Sequence, residues 1–144
     1  MSTHCRIGIV HENGSVTSIA CQFDGYPSWV GKTLLGHYTD KEKILNLLKL
    51  GDLSTLGKNL DGESLDDEPR TVAYHRDYGE DLDIRENPDI ENFMMDENEE
   101  WNYLYDCGEW YYLDNRGEYD ENGEMIVEPS MSLKLLTEDF AEKH

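Results

Sequence analysis

Cationic side chains are scarce in this chain. Twelve Lys and Arg stand against 32 Asp and Glu, giving a formal net charge of −20 at pH 7. No stripe of Lys or Arg is present to hold phosphate, so direct binding to nucleic acid is disfavoured. An anionic membrane surface is disfavoured for the same reason. Cysteine is also sparse: Cys5, Cys21 and Cys107 are odd in number and widely spaced. That pattern fits neither a disulfide framework nor a zinc site. No stretch approaches the ~20 apolar residues of a membrane-spanning helix, and no charged-then-apolar leader opens the sequence. The expectation is a soluble protein in a reducing cytoplasm, with no cofactor and no bound metal.

The acids that are present are unevenly placed. Residues 1–58 carry six Lys/Arg and five Asp/Glu, a net of +1, whereas residues 59–144 carry six and 27, a net of −21. A uniformly acidic chain would suggest solubility or adaptation to salt. A neutral half followed by a strongly acidic half suggests a surface that meets a basic partner, with long-range attraction speeding the encounter. Disorder is disfavoured by three Trp and nine Tyr, many of them within the acidic half, because such side chains provide burial. At 144 residues, one domain with a sizeable core is expected.

Local signals favour an α+β fold with a mainly antiparallel sheet, an N-terminal β-hairpin, a helical pair and a C-terminal β-meander plus a short helix. Arg6–Val10 and Val16–Phe23 flank Asn13-Gly14, a strong hairpin pair. In the second segment Val16, Ser18, Ala20 and Gln22 alternate with Thr17, Ile19, Cys21 and Phe23. Ser28 is placed to cap a helix reaching Tyr38, with Trp29, Val30, Thr33, Leu34 and His37 on one stripe. Thr39-Asp40-Lys41-Glu42 reads as a capping box before a second helix that Gly51 ends. Leu53–Leu56 reads as a short turn, residues 58–70 as a loop and Thr71–Arg76 as a strand. Gly79–Pro88 reads as an acidic connection and Asp89–Met95 as a short helix. Trp101–Tyr105 and Trp110–Leu113 form a second hairpin, Asn122-Gly123 turns the chain before Met125–Val127, and Ser132–Lys143 is helical in character.

Several residues carry a resemblance. They are Arg6-Ile7-Gly8, Asn13-Gly14-Ser15-Val16, Asp24-Gly25-Tyr26-Pro27, Val30-Gly31, His37-Tyr38, Leu50-Gly51-Asp52-Leu53-Ser54 and Thr71-Val72-Ala73-Tyr74-His75-Arg76-Asp77. This set resembles a family of small bacteriophage and prophage proteins with an N-terminal DGYP…VG…HY motif. Members of that family often have an aromatic beside a His before the Asp-Gly-Tyr-Pro turn, where this chain has Gln22-Phe23. The resemblance covers somewhat over half the chain and implies a phage-like origin, with no mechanism attached.

Two motif-like stretches fail on spacing. Gly31-Lys32-Thr33 ends like a phosphate-binding loop, but the required earlier glycine falls at Tyr26. Asp120-Glu121-Asn122-Gly123 resembles a calcium loop, but the position that needs a bidentate Glu is Pro129.

Three readings follow. The leading one is a phage-encoded anti-defence inhibitor, of the anti-restriction or anti-CRISPR kind. It presents carboxylates as a DNA mimic to a basic nucleic-acid-binding surface of a host enzyme, without catalysis. Carboxylates at i and i+2 of a strand lie about 6.6 Å apart, and those at i and i+4 of a helix about 6 Å, so both can imitate phosphate. The expected contacts are Asp61, Glu63, Asp66, Asp67, Glu68, Asp96, Glu97, Glu99, Glu100, Asp114, Glu118, Asp120, Glu121 and Glu124, with Trp101, Tyr103, Trp110 and Tyr119 as aromatic anchors. The alternative is a module or enzyme for a small ligand such as a nucleotide signal. Its site would comprise Asp24, Tyr26, His37, His75, Arg76 and Asp77. A third reading leaves the acidity as an aid to solubility alone.

Overall fold

The N-terminal hairpin forms the centre of the molecule. In the computed structural model, which describes residues 4–57, 71–96, 101–114, 118–119, 121–127 and 133–143, β1 (Cys5–Val10) pairs antiparallel with β2 (Val16–Cys21) from Cys5↔Cys21 to Val10↔Val16. The turn is closed by a 2.8 Å bond from the His11 amide to the Ser15 carbonyl. Asn13 accepts from both the amide and the hydroxyl of Ser15, and Gly14 supplies the positive φ. This is the hairpin that the Asn-Gly pair predicts.

Tyr26 precedes a π-helical turn, Pro27–Gly31, which runs into α1 (Lys32–His37). Ser28 is therefore not the cap. Pro27 occupies the first helical turn, where its missing N–H costs nothing, and the Tyr26 carbonyl accepts from the amides of Trp29 and Val30. The wider π turn also moves the buried stripe to Pro27, Val30, Gly31, Leu34 and Tyr38, leaving His37 exposed. Next comes α2 (Lys41–Leu48), capped one residue later than the capping box predicts: the Asp40 carboxylate accepts from the Glu42 amide. Gly51 follows at φ 76.

The next elements depart further from the local signals. β3 (Leu53–Thr55) is a strand, not a turn, because the amides of Gln22 and Phe23 bond to the carbonyls of Leu53 and Ser54. β4 is confined to Val72–Ala73. Beyond it the predicted strand becomes α3 (Tyr74–Tyr78), where Asp77 accepts from the Ala73 amide at 2.8 Å and Gly79 closes the helix in the left-handed conformation. β5 (Arg85–Asn87) lies within the expected connection and pairs with β2, and α4 (Ile90–Asp96) follows. β6 (Trp101–Asp106) and β7 (Glu109–Asp114) form the second hairpin. Its two-residue turn has Cys107 and Gly108 both at positive φ, as a tight hairpin requires. β8 (Glu118–Tyr119) and β9 (Met125–Val127) make a separate small ribbon. The tail splits into β10 (Lys134–Leu135), which joins β7, and α5 (Glu138–Lys143). Residues 58–70, the expected loop, lie outside the described residues.

The result is one α+β domain around a mostly antiparallel sheet in the order β10-β7-β6-β1-β2-β3-β4, with β5 also on β2. Two pairings, β1 with β6 and β2 with β3, are parallel. Strand alternation divides the sheet into two faces. Cys5, Ile7, Ile9, Ile19, Cys21, Trp101, Tyr103 and Tyr105 face the main core, with Val30, Leu34, Ile44, Leu47 and Leu48 from the helical segments. Val16 and Leu104 meet Phe93 in a smaller cluster. Among the described residues no helix is long and apolar enough to cross a membrane.

Along the outer edge of β2, β5 pairs at Val16–Ser18 and β3 at Cys21. The Asp52 carboxylate fills the gap between them, accepting from the Ala20 amide at 2.9 Å. Burial first, and the Asp83 carboxylate in addition, raise the Asp52 pKa, against opposing pulls from the Ala20 bond and from Arg6 and Arg85. Asp52→Ala orphans a partly buried amide and costs about 1–3 kcal/mol, measurable by urea unfolding. Asp52→Asn keeps an acceptor there. Because the folded pKa is raised, the protonated form is favoured in the native state. Asp52's contribution to stability is therefore greatest below the unfolded value and declines as pH rises through the raised one. Relative to wild type, Asp52→Asn gains stability across that acid window.

Candidate functional site

The motif residues of the first half serve the scaffold. Asp24 takes a left-handed φ of 58 at the turn after β2. Gly25 follows in a space where an added Cβ would lie 2.8 Å from the Cys5 Cβ and 2.9 Å from its amide nitrogen, so only glycine fits without backbone movement. Its carbonyl accepts the Tyr103 hydroxyl at 2.8 Å. Tyr38 is fully buried, and its hydroxyl donates to the Gly57 carbonyl at 2.8 Å and lies 3.4 Å from the Thr71 hydroxyl. The Tyr38 carbonyl accepts the Trp110 indole N–H, and Lys43 sits over its ring. Burial raises the pKa of the Tyr38 hydroxyl above its ordinary value, against smaller opposing effects of the Thr71 hydrogen bond and the Arg76 charge. These residues join both halves of the chain into one core.

The six residues of the small-ligand reading fall in three places: the β2–α1 turn, the end of α1, and α3. Asp24 and Tyr26 neighbour each other at the β2–α1 turn, with the Tyr26 hydroxyl 3.4 Å from the Asp24 carboxylate. Burial, then that carboxylate, raise the Tyr26 pKa. His37 is exposed at the end of α1. His75 lies on α3 with Nδ1 2.7 Å from the Glu80 carbonyl. Arg76 pairs with Asp77 at 3.1 Å and donates to the Thr71 carbonyl, and Asp77 caps α3 as described above. Arg76 and Asp77 thus build the β4–α3 corner. None of the clefts described below is lined by any of the six.

The expected acidic surface is described in part. Glu121 and Glu124 flank the Asn122-Gly123 turn and are exposed. Asp96 lies on α4, Asp114 on β7, and Glu118 and Tyr119 on β8. Asp61, Glu63, Asp66, Asp67, Glu68, Glu97, Glu99, Glu100 and Asp120 lie outside the described residues. Further acids that the sequence reading passed over are exposed, among them Glu80, Asp81, Glu86, Asp89, Glu91, Glu109, Glu138 and Glu142.

Three of the four expected anchors are corrected. Trp101, Tyr103 and Trp110 are 2%, 0% and 3% exposed. They alternate onto the helix-facing side of the sheet, where Trp101 packs against Tyr112 and Phe140, and Trp110 against Tyr105. No partner reaches them while the protein is folded.

The structure also shows a site that sequence reasoning missed. His11, just past the end of β1, lines three adjoining clefts. One, of about 250 Å³, lies at the carboxyl ends of the parallel strands β1 and β6, between Glu12, Lys41, Asp106 and Cys107. The second, of about 300 Å³, includes Ser15, Thr17, Glu86, Asn87 and Pro88. The third, of about 280 Å³, shares Thr17 and Glu86 and is otherwise lined by Leu45, Leu48, Lys49 and Ile84. The His11 Nε2 is held 2.7 Å from the Thr17 hydroxyl. Cys107 is the exposed thiol of this region, and its pKa is raised, first by its hydrogen bond to Asp106 and then by that residue's charge. A thiol held protonated is a poor nucleophile, so the arrangement suits binding better than covalent chemistry. The second and third clefts depend on β5 reaching β2 across 69 residues (Thr17↔Glu86), and no local pattern signals that pairing. Comparison of the chain with protein-family models, with curated proteins and with solved structures finds no significant match.

Proposed function

We propose that the protein acts by stoichiometric, non-catalytic binding of its acidic half to a basic protein surface, one that otherwise holds nucleic acid. The reading extends to a phage-encoded inhibitor of a host defence enzyme. The observation that carries it is a division of labour. The shared motif residues of the neutral half are used in turns, caps and core hydrogen bonds, while the described acids beyond residue 79 are mostly exposed on the outside of that scaffold. The exposed carboxylates present negative charge, those of Glu138 and Glu142 at the i,i+4 spacing of α5, and the net −20 adds attraction over distance. Contact with a phosphate-binding groove would exclude its nucleic acid and release the groove's bound anions.

The test is a pull-down from nuclease-treated bacterial lysate at about 50 mM and about 500 mM salt, spanning Debye lengths from roughly 14 to 4 Å. A basic nucleic-acid-binding protein is expected at the lower salt and is lost at the higher. Retention of the same partner at both would refute the electrostatic reading.

A further inference from the structure

We infer that the outer edge of β5 takes up an extended segment of the basic protein partner, which adds to the sheet as an antiparallel strand with a Lys or Arg opposite Glu86. This rests on the proposed function and names how the partner is held. The bond from the His11 amide to the Ser15 carbonyl makes those two residues a hydrogen-bonded pair. Such pairs alternate with non-bonded ones along an antiparallel ladder. Val16, Ser18 and Ala20 therefore turn their N–H and C=O groups away from β1, and the Ala20 amide does so in donating to Asp52. On that outer side Val16 and Ser18 bond to Asn87 and Arg85, so Glu86 between them turns its own N–H and C=O away from β2. Among the described residues no strand pairs with that side of β5. An open edge of this kind is a template for a further strand. Both outward groups of Glu86 are met by one facing residue only if that strand runs antiparallel.

The side chains along this edge select the strand. Glu86 is exposed. In a second copy added antiparallel about this residue, its carboxylate would face its own counterpart, and like charges directly opposite are destabilising. A cation in the facing position turns that repulsion into attraction. Asp81, Asp83 and Asp89 lie close in sequence on either side of β5, and Arg85, the cation of the strand, is paired with Asp83 at 3.1 Å. The charge of the edge thus disfavours a second copy and suits a basic segment. Ile84 and Glu86 line one depression with His11, Thr17 and, from α2, Leu45, Leu48 and Lys49. An added strand places the side chain two residues beyond the cation on the same face, over that depression. The leucines and Ile84 favour an apolar residue there, and Lys49 opposes a second cation. Pro88, with no N–H to give, ends the edge.

The experiment is a ¹⁵N-NMR titration of the whole chain with the peptide acetyl-Thr-Lys-Thr-Ile-Thr-amide. The Glu86 amide signal is expected to move downfield, and its hydrogen exchange to slow, as the peptide binds. The same peptide N-methylated at its Lys keeps every side chain but loses the N–H that meets the Glu86 carbonyl, and it is expected to bind about tenfold more weakly. Glu86→Gln is expected to weaken the unmodified peptide by up to about fivefold, the upper contribution of a cross-strand charge pair. No shift, an unchanged exchange rate at Glu86, or equal binding of the N-methylated peptide would overturn the inference. Exchange at Glu86 that slows with protein concentration alone would also overturn it, because a second copy would then occupy the edge. Glu86→Pro closes the edge at a position whose N–H makes no bond to β2, and its thermal unfolding checks that it folds. If the salt-sensitive partner is captured equally by the folded Glu86→Pro variant while the peptide fails to bind, this inference fails and the acidic-surface reading stands. If the peptide adds at Glu86 while lysate yields no salt-sensitive partner, the strand-accepting edge stands and the proposed function fails.

Discussion

Trp110→Ala is expected to lower the free energy of unfolding by about 3–5 kcal/mol, and Trp101→Ala by a similar amount. Each removes one of the largest side chains in the core. At Trp110 the loss includes the edge-on contact with Tyr105, at 5.3 Å between ring centres, and the 2.9 Å bond to the Tyr38 carbonyl. At Trp101 it includes the packing that ties α5 to the sheet through Phe140, which stacks on Tyr112 at 4.1 Å. Trp110→Phe isolates the hydrogen bond and costs about 1 kcal/mol beyond the lost ring area. Urea unfolding, followed by circular dichroism, reads all three. A loss below about 1 kcal/mol for either alanine variant would mean that the indole is not packed and would restore it as a surface anchor.

Neutralising the acids is expected to have the opposite signature. A variant with the exposed acids Glu80, Asp81, Glu86, Glu91, Glu109, Glu121, Glu138 and Glu142 changed to their amides should fold with near-normal stability, since exposed charges contribute little. Its affinity for the basic partner should fall on the order of 100-fold, through slower association at low salt and faster release. Surface plasmon resonance separates the two rates. A variant that binds as tightly as the wild type would reduce the acidity to an aid to solubility.

Much of the scaffold was legible locally. Asn13-Gly14 and the alternation around it place the first hairpin, and the aromatic runs on either side of Cys107-Gly108 place the second. Gly51 marks the end of a helix because its positive φ favours glycine, and an added Cβ there would lie 2.7 Å from the Leu82 Cδ1. What the chain conceals is long-range pairing. Nothing near Leu53 says that its backbone lies beside Cys21, and nothing near Arg85 says that it continues the sheet beyond Ser18. The central parallel contact of β1 with β6 joins residues almost a hundred positions apart (Cys5↔Trp101). For the same reason the aromatics of the acidic half read as surface anchors. Their acidic neighbours in sequence suggest solvent, as at Glu109, which is exposed beside Trp110, while strand alternation turns the rings inward. The His11 clefts arise only when segments distant in sequence meet, so composition and spacing give no sign of them.

The central claim is that this protein and nucleic acid compete for one basic surface. It is tested by fluorescence anisotropy of a labelled nucleic acid held by the captured partner, with the protein titrated in. The account predicts displacement complete near one equivalent, reversed by added nucleic acid and weakened by salt. A ternary complex, in which the label stays bound while the protein also binds, would contradict it.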